Sequence, residues 1–152
     1  MVVESLVIRR AVASEQKNLE ELERRAGLAN PGDREAILAH PEIIEVPLEQ
    51  IESGDVFVIE ADDVIAGFAA VKARPDGEID LDGLFVEPDM QRRGFGRLLV
   101  EHCCRIAQDR GATAMYVIGN PHALDFYLAC GFESIGTAQT RFRPAPLMRR
   151  GL

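Results

Sequence analysis

The sequence predicts a mixed α/β domain, and three observations support this prediction. The chain has 152 residues, a length typical of one domain. Residues 56–86 contain apolar or alternating stretches separated by short turn signals, as antiparallel strands do. An amphipathic helical stretch at 94–110 is followed by the apolar run 115–118, which indicates a strand–helix–strand unit. We therefore expect one domain over residues 1–152, in which antiparallel strands in the first part of the chain are followed by that strand–helix–strand unit.

The first half of the chain places short helices before its main strands. Residues 5–12 are expected to form an edge strand, and Ser14 is expected to cap the helix that follows. That helix ends near Gly27 and carries apolar residues at helical spacing, namely Leu19, Leu22 and Ala26. A short helix is expected at 33–39 and a single turn at 47–52. The strands then follow at 56–59, 64–73 and 78–86.

The second half alternates helices and strands. The helix at 94–110 presents one apolar face, formed by Phe95, Leu98, Leu99, Cys103 and Ile106. Because proline is tolerated in a first helical turn and glycine ends helices, a further helix is expected from Pro121 to Gly131. Cys130, next to that glycine, is expected to pack in the interior rather than to react. Two short strands complete the chain, at 133–137 and 147–149.

Composition and charge exclude several classes of function. The net charge is −8, and a chain this acidic is a poor nucleic-acid binder. No apolar run is long enough to span a membrane, and the odd count of three cysteines does not suit disulfides, so we expect a cytoplasmic protein. No Cys/His cluster has metal-site spacing, and we expect no metal.

The charge is unevenly distributed along the chain. Residues 1–90 carry 21 acidic and 8 basic residues, a net charge of −13, whereas residues 91–152 carry 4 and 9, a net charge of +5. A basic segment within an acidic protein suggests one anionic ligand held at one end of a site.

The segment between the strand at 78–86 and the helix at 94–110 has the features of an anion site. Gly94 and Gly96 allow a ligand to approach the backbone closely, and the helix N-terminus adds partial positive charge. Three arginines surround these glycines: Arg92, Arg93 and Arg97. The third glycine of a dinucleotide fingerprint is missing, and no P-loop Lys-Ser/Thr follows. Spacing alone therefore indicates a phosphate-binding loop without specifying the ligand.

A second segment, residues 120–132, extends this interpretation. Its pattern Asn120-x-x-Ala123-x-x-Phe126-Tyr127-x-x-x-Gly131-Phe132 follows Gln91-x-x-Gly94-x-Gly96 in the chain, separated from it by one helix and one strand. Together the two motifs resemble those of the GCN5-related N-acetyltransferase (GNAT) superfamily. The resemblance implies that fold, with mostly antiparallel N-terminal strands and a central parallel pair splayed for the cofactor. It also implies acetyl-CoA as co-substrate.

The resemblance implies cofactor-binding roles for particular residues. The strand Leu84, Phe85 and Val86 would pair with the pantetheine arm through exposed backbone groups of Phe85 and Val86. The Val86 N–H would donate to the thioester oxygen, and Asn120 would bond the arm from the opposite wall. The diphosphate would be held by Gln91 and by backbone groups of Arg92, Arg93, Gly94, Phe95, Gly96 and Arg97.

The resemblance also implies the catalytic residues. Tyr127 matches the general acid of the family, and a phenol and a thiol have pKa values close enough for proton transfer. Without the resemblance, the favoured interpretation of Tyr127 is a core tyrosine on an amphipathic helix beside Phe126. Asp82 is the expected base or amine anchor, with Asp80 two residues before it on the same strand face. Either would act through water or simply hold the cationic substrate, because aspartate is shorter than the glutamate that many relatives carry on this strand. The alternative is that both aspartates simply face solvent.

We therefore expect an N-acetyltransferase that moves an acetyl group from acetyl-CoA to a primary amine by direct attack on the thioester. The acceptor is expected to be a small-molecule or peptide amine, and the acidic first half favours a cation. Residues 140–146 would border it, although Arg141 or Arg143 there would instead suit a carboxylate. A homodimer is possible, with neither nucleic acid nor membrane as partner. The alternative function is a catalytically inactive acyl-CoA sensor or partner protein of the same fold.

Overall fold

The computed structural model describes residues 5–152, which form a seven-stranded sheet in the order β1-β2-β3-β4-β5-β7-β6. The strands are β1 (Leu6–Arg10), β2 (Val56–Ala61), β3 (Val64–Ala73), β4 (Ile79–Val86), β5 (Ala114–Ile118), β6 (Glu133–Gln139) and β7 (Pro144–Gly151). The first four strands are antiparallel, β4 and β5 are parallel, and β7 lies antiparallel between β5 and β6. The predicted mixed fold, with an antiparallel front and one parallel pair, is confirmed.

Five α-helices accompany this sheet in the described part of the chain. They are α1 (Gln16–Ala29), α2 (Arg34–Ala39), α3 (Leu48–Glu52), α4 (Phe95–Asp109) and α5 (Leu124–Ala129). Short 3₁₀ turns cover Ala13–Glu15, Pro41–Ile43, Pro88–Met90 and Pro121–Ala123. None of the helices within residues 5–152 is both long and apolar enough to cross a membrane.

The core lies on both faces of the sheet because successive side chains of a strand point to opposite sides. In β2, Phe57 and Ile59 pack with Phe95 and Leu99 of α4. The intervening residues of the same strand pack on the other face with residues of α1, in a cluster that contains Val56, Val58, Leu19 and Leu22. Helices therefore cover both faces of the central strands.

Three local predictions need correction. Ser14 does not cap α1, because it lies inside the 3₁₀ turn Ala13–Glu15 and the N-cap position of α1 is Glu15. The Glu15 carboxylate accepts from the Val12 N–H at 2.9 Å. The helix α1 continues past Gly27 to Ala29. Strand β7 covers eight residues instead of the predicted three, because it pairs with both β5 and β6.

The parallel pairing of β4 and β5 is very short. Only Ile79 with Met115 and Asp80 with Tyr116 are paired, whereas β4 continues to Val86. Beyond this point the two strands diverge, so one edge of β4 has no neighbouring strand. The divergence positions the site described next.

Candidate active site

A cleft of about 730 Å³ occupies the space where β4 and β5 diverge. One wall is the stretch 81–86 of β4, and the opposite wall is 117–120 at the end of β5. The end of α1 with the loop that follows it, and the β6–β7 loop, form the remaining walls. A second cavity of about 550 Å³, here called the loop cavity, adjoins the cleft and contains the glycine loop before α4. The two share Val86, Gln91 and Tyr127 among their lining residues.

The backbone of β4 presents an unpaired edge to this cleft. The Glu87 N–H donates to Ala66 O on the β3 side at 2.8 Å, so the preceding N–H, that of Val86, points to the open edge. The backbone groups of Phe85 point the other way, towards β3, since its carbonyl oxygen lies against Gly67 of that strand. The groups available to a ligand are therefore those of Leu84 and Val86, in place of the expected Phe85 and Val86. Phe85 also lines the cleft, and its ring packs against Phe68 at a centroid distance of 5.2 Å.

The glycine loop turns its backbone outward. Arg92 (φ 65°) and Gly94 (φ 84°) both adopt the left-handed conformation, and Gly94 is the N-cap of α4. Within residues 5–152, no backbone acceptor receives the N–H groups of Gly94, Phe95, Gly96 or Arg97. Consecutive unpaired amides at a helix N-terminus form an anion-binding arrangement.

Glycine is required at the two positions of this loop, 94 and 96, for different structural reasons. A Cβ at Gly94 would meet nothing within 4 Å, so its side is open space. A Cβ at Gly96 would lie 3.2 Å from the Phe126 ring of α5, so Gly96 also allows α4 and α5 to pack closely. Gly94 is therefore the glycine explained by its backbone conformation and by the access it gives a ligand to the backbone, without any packing requirement.

Tyr127 lies at the junction of the two cavities. It is 8 % exposed, and its ring makes edge-on contacts with Phe126 and Phe132 at centroid distances of 5.2 and 5.7 Å. A Cβ at Gly119, at the end of β5, would lie 3.2 Å from this ring, so that glycine makes room for it. Burial raises the pKa of Tyr127 to about 12, with a smaller contribution from Cys130. The phenol therefore holds its proton throughout the physiological range.

The two aspartates of β4 are in different surroundings. Asp80 forms an ion pair with Arg74 at 2.8 Å, which occupies its carboxylate. Asp82 is exposed at the cleft wall and accepts a hydrogen bond from Gln50 Nε2 at 3.2 Å. The strand bulges at this residue, since Val71 pairs with Leu81 and Ala70 pairs with Gly83. Of the two aspartates, Asp82 is therefore the one placed at the cleft.

Glu23 of α1 is an acidic residue beside the cleft that the sequence analysis did not identify. Burial raises its pKa to about 8, and the nearby charges of Glu20, Asp82 and Glu45 add to that rise while Arg24 opposes it. In the described part of the chain its carboxylate accepts no hydrogen bond. Glu23 lies about one helical turn after Leu19 and one turn before Ala26, on the apolar side of α1. A charged residue at such a position is the sequence feature that could have identified it. A half-buried carboxylate that titrates near neutral pH can exchange a proton with an amine.

Asn120 and the arginines of the β6–β7 loop already have protein partners. Asn120 Oδ1 accepts from the His122 N–H, and its Nδ2 donates to Asp33 Oδ1 at 2.9 Å. Arg143 is bonded to the loop after α1, and Arg141 forms an exposed ion pair with Glu42 at 3.2 Å. Because both arginines already contact protein groups, the alternative that they bind a carboxylate of the acceptor has less support than a cationic acceptor.

The other expected site residues divide between the two cavities. Leu84, Gln91 and Arg92 line both. The loop cavity alone is lined by Gly94, Phe95, Gly96 and Arg97. Arg93 is exposed and lines neither. The loop after α1, containing Asn30, Gly32 and Asp33, lines the cleft and was not anticipated, because its sequence reads only as a turn.

Thiol and metal chemistry find no support among the described residues. Cys130 is buried at the side of the loop cavity, and burial raises the pKa of its thiol, which keeps it protonated. Within residues 5–152, no group of three or more His, Cys, Asp or Glu side chains is arranged to hold a metal ion.

Comparisons with known proteins identify the family of the chain. A family model described as "Acetyltransferase (GNAT) family" matches residues 19–132. Over 76 residues the chain is 37% identical to the [ribosomal protein bS18]-alanine N-acetyltransferase of Salmonella typhimurium, a match that covers 48% of this chain and 51% of the relative. Over 70 residues it is 34% identical to the peptidyl-lysine N-acetyltransferase YjaB of the same organism, which covers 45% and 47%. The chain thus spans about half the length of the curated relatives it matches.

The fold is also found in solved structures. The PaiA N-acetyltransferase of Thermoplasma acidophilum, solved in complex with coenzyme A, superposes with a TM-score of 0.77. The superposition covers 97% of this chain and 99% of that one at 18% sequence identity, and at this level the likeness concerns the fold.

The raised pKa of Glu23 leads to an expected pH dependence of stability. In the unfolded chain this glutamate ionises near its ordinary pKa of 4.5, whereas in the folded protein it ionises near 8. The folded state therefore binds the extra proton between these values, and stability falls as the pH rises from about 4.5 through 8. Glu23→Gln removes this loss. We expect the variant to be more stable than the wild type at pH 8.5 by up to a few kcal/mol, at about 1.4 kcal/mol per pKa unit.

The measurement is urea unfolding at pH 5 and pH 8.5. The stability difference between Glu23→Gln and wild type that comes from this titration should fall to about 1 kcal/mol or less at pH 5. Glu21→Gln, on the exposed side of the same helix, is the matched control and should show no comparable change with pH. An equal effect of Glu23→Gln at both pH values would contradict the titration.

Proposed function

The chain belongs to the acetyltransferase (GNAT) family, whose model matches residues 19–132, and on this basis we propose that it transfers an acetyl group from acetyl-CoA to a primary amine. The observation that carries the proposal is the pair of adjoining cavities in which an unpaired strand edge, a row of unpaired amides and a buried phenol come together. Each of these groups suits one part of an acyl-CoA thioester.

The residues present fit acetyl-CoA as a bound co-substrate. The open side of Gly94 and the unpaired amides of residues 94–97 suit the diphosphate, with Gln91, Arg92 and Arg97 around them. The free edge at Leu84 and Val86 suits the amides of the pantetheine arm, as an added strand would. Asn120 lies on the opposite wall. Acetyl-CoA would supply the activated acetyl group.

Two protein groups would assist the transfer. The Val86 N–H is aimed at the open edge, where it can donate to the thioester oxygen as that oxygen gains negative charge. The Tyr127 hydroxyl would donate to the departing sulfur. Because burial raises the pKa of Tyr127 to about 12, complete proton transfer to a thiolate is less balanced than the free phenol would suggest. A hydrogen bond that strengthens as the thiolate forms is the main contribution expected of it.

The acceptor is proposed to be a polypeptide amine. The relatives are named for alanine and peptidyl-lysine acetylation, both of which involve amines of polypeptides. Asp82, on the β4 wall of the cleft, would attract an ammonium group and accept its proton, directly or through water. Glu23 of α1, whose pKa is raised to about 8, would take part in the proton exchange beside it. A primary amine is mostly protonated at pH 7, so such help favours attack. The homodimer and the cytoplasmic location stay predictions.

The removal of the Tyr127 hydroxyl tests the chemical role of this residue. Tyr127→Phe keeps the ring that contacts Phe126 and Phe132, so the cofactor site should remain intact. We expect kcat to fall about 10²–10⁴-fold with coenzyme A affinity within about twofold of wild type. The measurement is thiol release from acetyl-CoA with lysine- and alanine-terminated peptides, beside calorimetric titration of coenzyme A.

Tyr116→Phe is the matched control for this experiment. Tyr116 lies on β5, and the Arg74 guanidinium carbon is 4.0 Å from the centroid of its ring. Tyr116→Phe should keep the wild-type rate. A wild-type rate in Tyr127→Phe would leave Tyr127 a packing residue. Tight coenzyme A binding by the wild type without turnover of any amine would favour the inactive sensor.

The glycine loop is tested by Gly94→Val. Its side chain would occupy the open space in front of the amides, and we expect coenzyme A affinity to fall about tenfold or more. The left-handed conformation also costs about 1–2 kcal/mol for a residue with a side chain. Gly77→Val isolates that cost, because Gly77 has φ 86° and equally open surroundings in a distant turn. Equal affinities in the two variants would contradict the assignment of the loop.

A further inference from the structure

Gln50 of α3 donates hydrogen bonds from one amide nitrogen to two neighbouring strands. Its Nε2 lies 3.0 Å from the Val71 carbonyl oxygen of β3 and 3.2 Å from Asp82 Oδ2 of β4. Both partners are hydrogen-bond acceptors, so the NH2 group of the carboxamide, and not its oxygen, has to face them. Gln50 therefore connects α3 both to the backbone of β3 and to a carboxylate that lines the cleft.

The backbone around Gln50 fixes its side chain in this place. The Val71 N–H donates to Asp55 O at 2.9 Å, and in a regular antiparallel pair the Asp55 N–H would donate back to the Val71 oxygen. The Asp55 N–H donates instead to the Gln50 carbonyl oxygen at 3.1 Å. The Gln50 side chain thus supplies the donor that this strand pair lacks. The next residue, Ile51, is 3 % exposed and anchors α3 in the core.

Asp82 is a residue whose direction the sheet alone does not determine. It is the extra residue of the β4 bulge, and among the described residues it has no pairing partner on β3. Its side chain is exposed at the cleft, and Gln50 holds one of its two oxygens. Within residues 5–152 the other oxygen, Oδ1, has no hydrogen-bond partner. The carboxylate is thus held at one oxygen and open at the other.

The neutral character of the Gln50 donor distinguishes Asp82 from Asp80. The Asp80 carboxylate is bonded to Arg74 Nη1 at 2.8 Å, so a guanidinium compensates its charge. Asp82 is bonded to a carboxamide, which orients a carboxylate without cancelling its charge. That charge acts on its surroundings, since it adds to the raised pKa of Glu23. An ammonium group in the cleft would therefore meet an oriented carboxylate whose charge is available.

We propose that Gln50 is a positioning residue for the acceptor amine, because it holds Asp82 by one oxygen and leaves the other oxygen and the negative charge available. This inference rests on the proposed function, in which Asp82 receives an ammonium group. Gln50 does not line the cleft, so it acts through Asp82. Without this bond the exposed carboxylate is distributed over several rotamers, and fewer of them face the amine.

Two variants of Gln50 separate orientation from charge. Gln50→Met keeps the length of the side chain and removes the donor, whereas Gln50→Lys keeps a donor and adds a cation that compensates Asp82. Gln16→Met is the matched control, because Gln16 Nε2 also donates to a backbone oxygen, that of Val46 at 2.8 Å, but lies outside the cleft. Gln50→Met and Gln16→Met are also made in an Asp82→Ala background.

The first measurement is the kinetics of acetyl transfer to a lysine peptide. We expect Gln50→Met to lower the peptide kcat/KM about 3–10-fold and Gln50→Lys to lower it further, with the acetyl-CoA KM within about twofold of wild type. In the Asp82→Ala background the loss caused by Gln50→Met should shrink to less than about twofold, since no carboxylate remains to be positioned. Gln16→Met should resemble its parent in both backgrounds.

The second measurement does not depend on turnover. It follows the NMR signals of the two Gln50 Nε2 protons, and Asp82→Ala should shift one of them while the proton bonded to Val71 stays near its place. Unshifted signals, a wild-type kcat/KM in Gln50→Lys, or equal losses from Gln50→Met in both backgrounds would overturn the proposal. A wild type that acetylates no peptide would refute the proposed function and this inference with it, an outcome that the amide signals distinguish from absence of the Gln50–Asp82 bond.

Discussion

Two residue pairs, Ile79–Met115 and Asp80–Tyr116, are the whole of the parallel contact between β4 and β5, and the site depends on this short pairing. Backbone amides and carbonyls require partners, and the stretch of β4 beyond Asp80 has them on the β3 side only. The open edge is therefore a ready place for an extended polar ligand. A fully paired sheet would have filled the same space and left no cleft.

Charge is distributed along this cleft from one end to the other. The glycine loop offers unpaired amides with Arg92 and Arg97, which suit an anion. The β4 wall offers the exposed carboxylate of Asp82, which suits a cation, and Glu23 of α1 lies near it. Tyr127 lies between these ends as a buried neutral donor. An anionic co-substrate and a cationic acceptor would thus enter from opposite ends and meet at the phenol.

The sequence predicted what local patterns determine, and it missed what distant contacts determine. Glycines, prolines and apolar periodicity located the strands, α4 and the glycine loop before it. The bulge at Asp82 and the alternation that turns Val86 outward depend on pairing with β3. Asn120 and Asp33 are 87 residues apart, so their hydrogen bond has no local signature. The elevated pKa of Glu23 likewise arises from burial that tertiary packing creates.

The central claim is that the open edge of β4 and the amides before α4 bind one molecule of coenzyme A. A crystal structure of the chain with coenzyme A tests this directly. The account expects the pantetheine arm along Leu84 and Val86, and the diphosphate within hydrogen-bonding distance of the amides of Gly94–Arg97. Coenzyme A bound elsewhere, or an edge of β4 closed by another part of the chain in that complex, would contradict it.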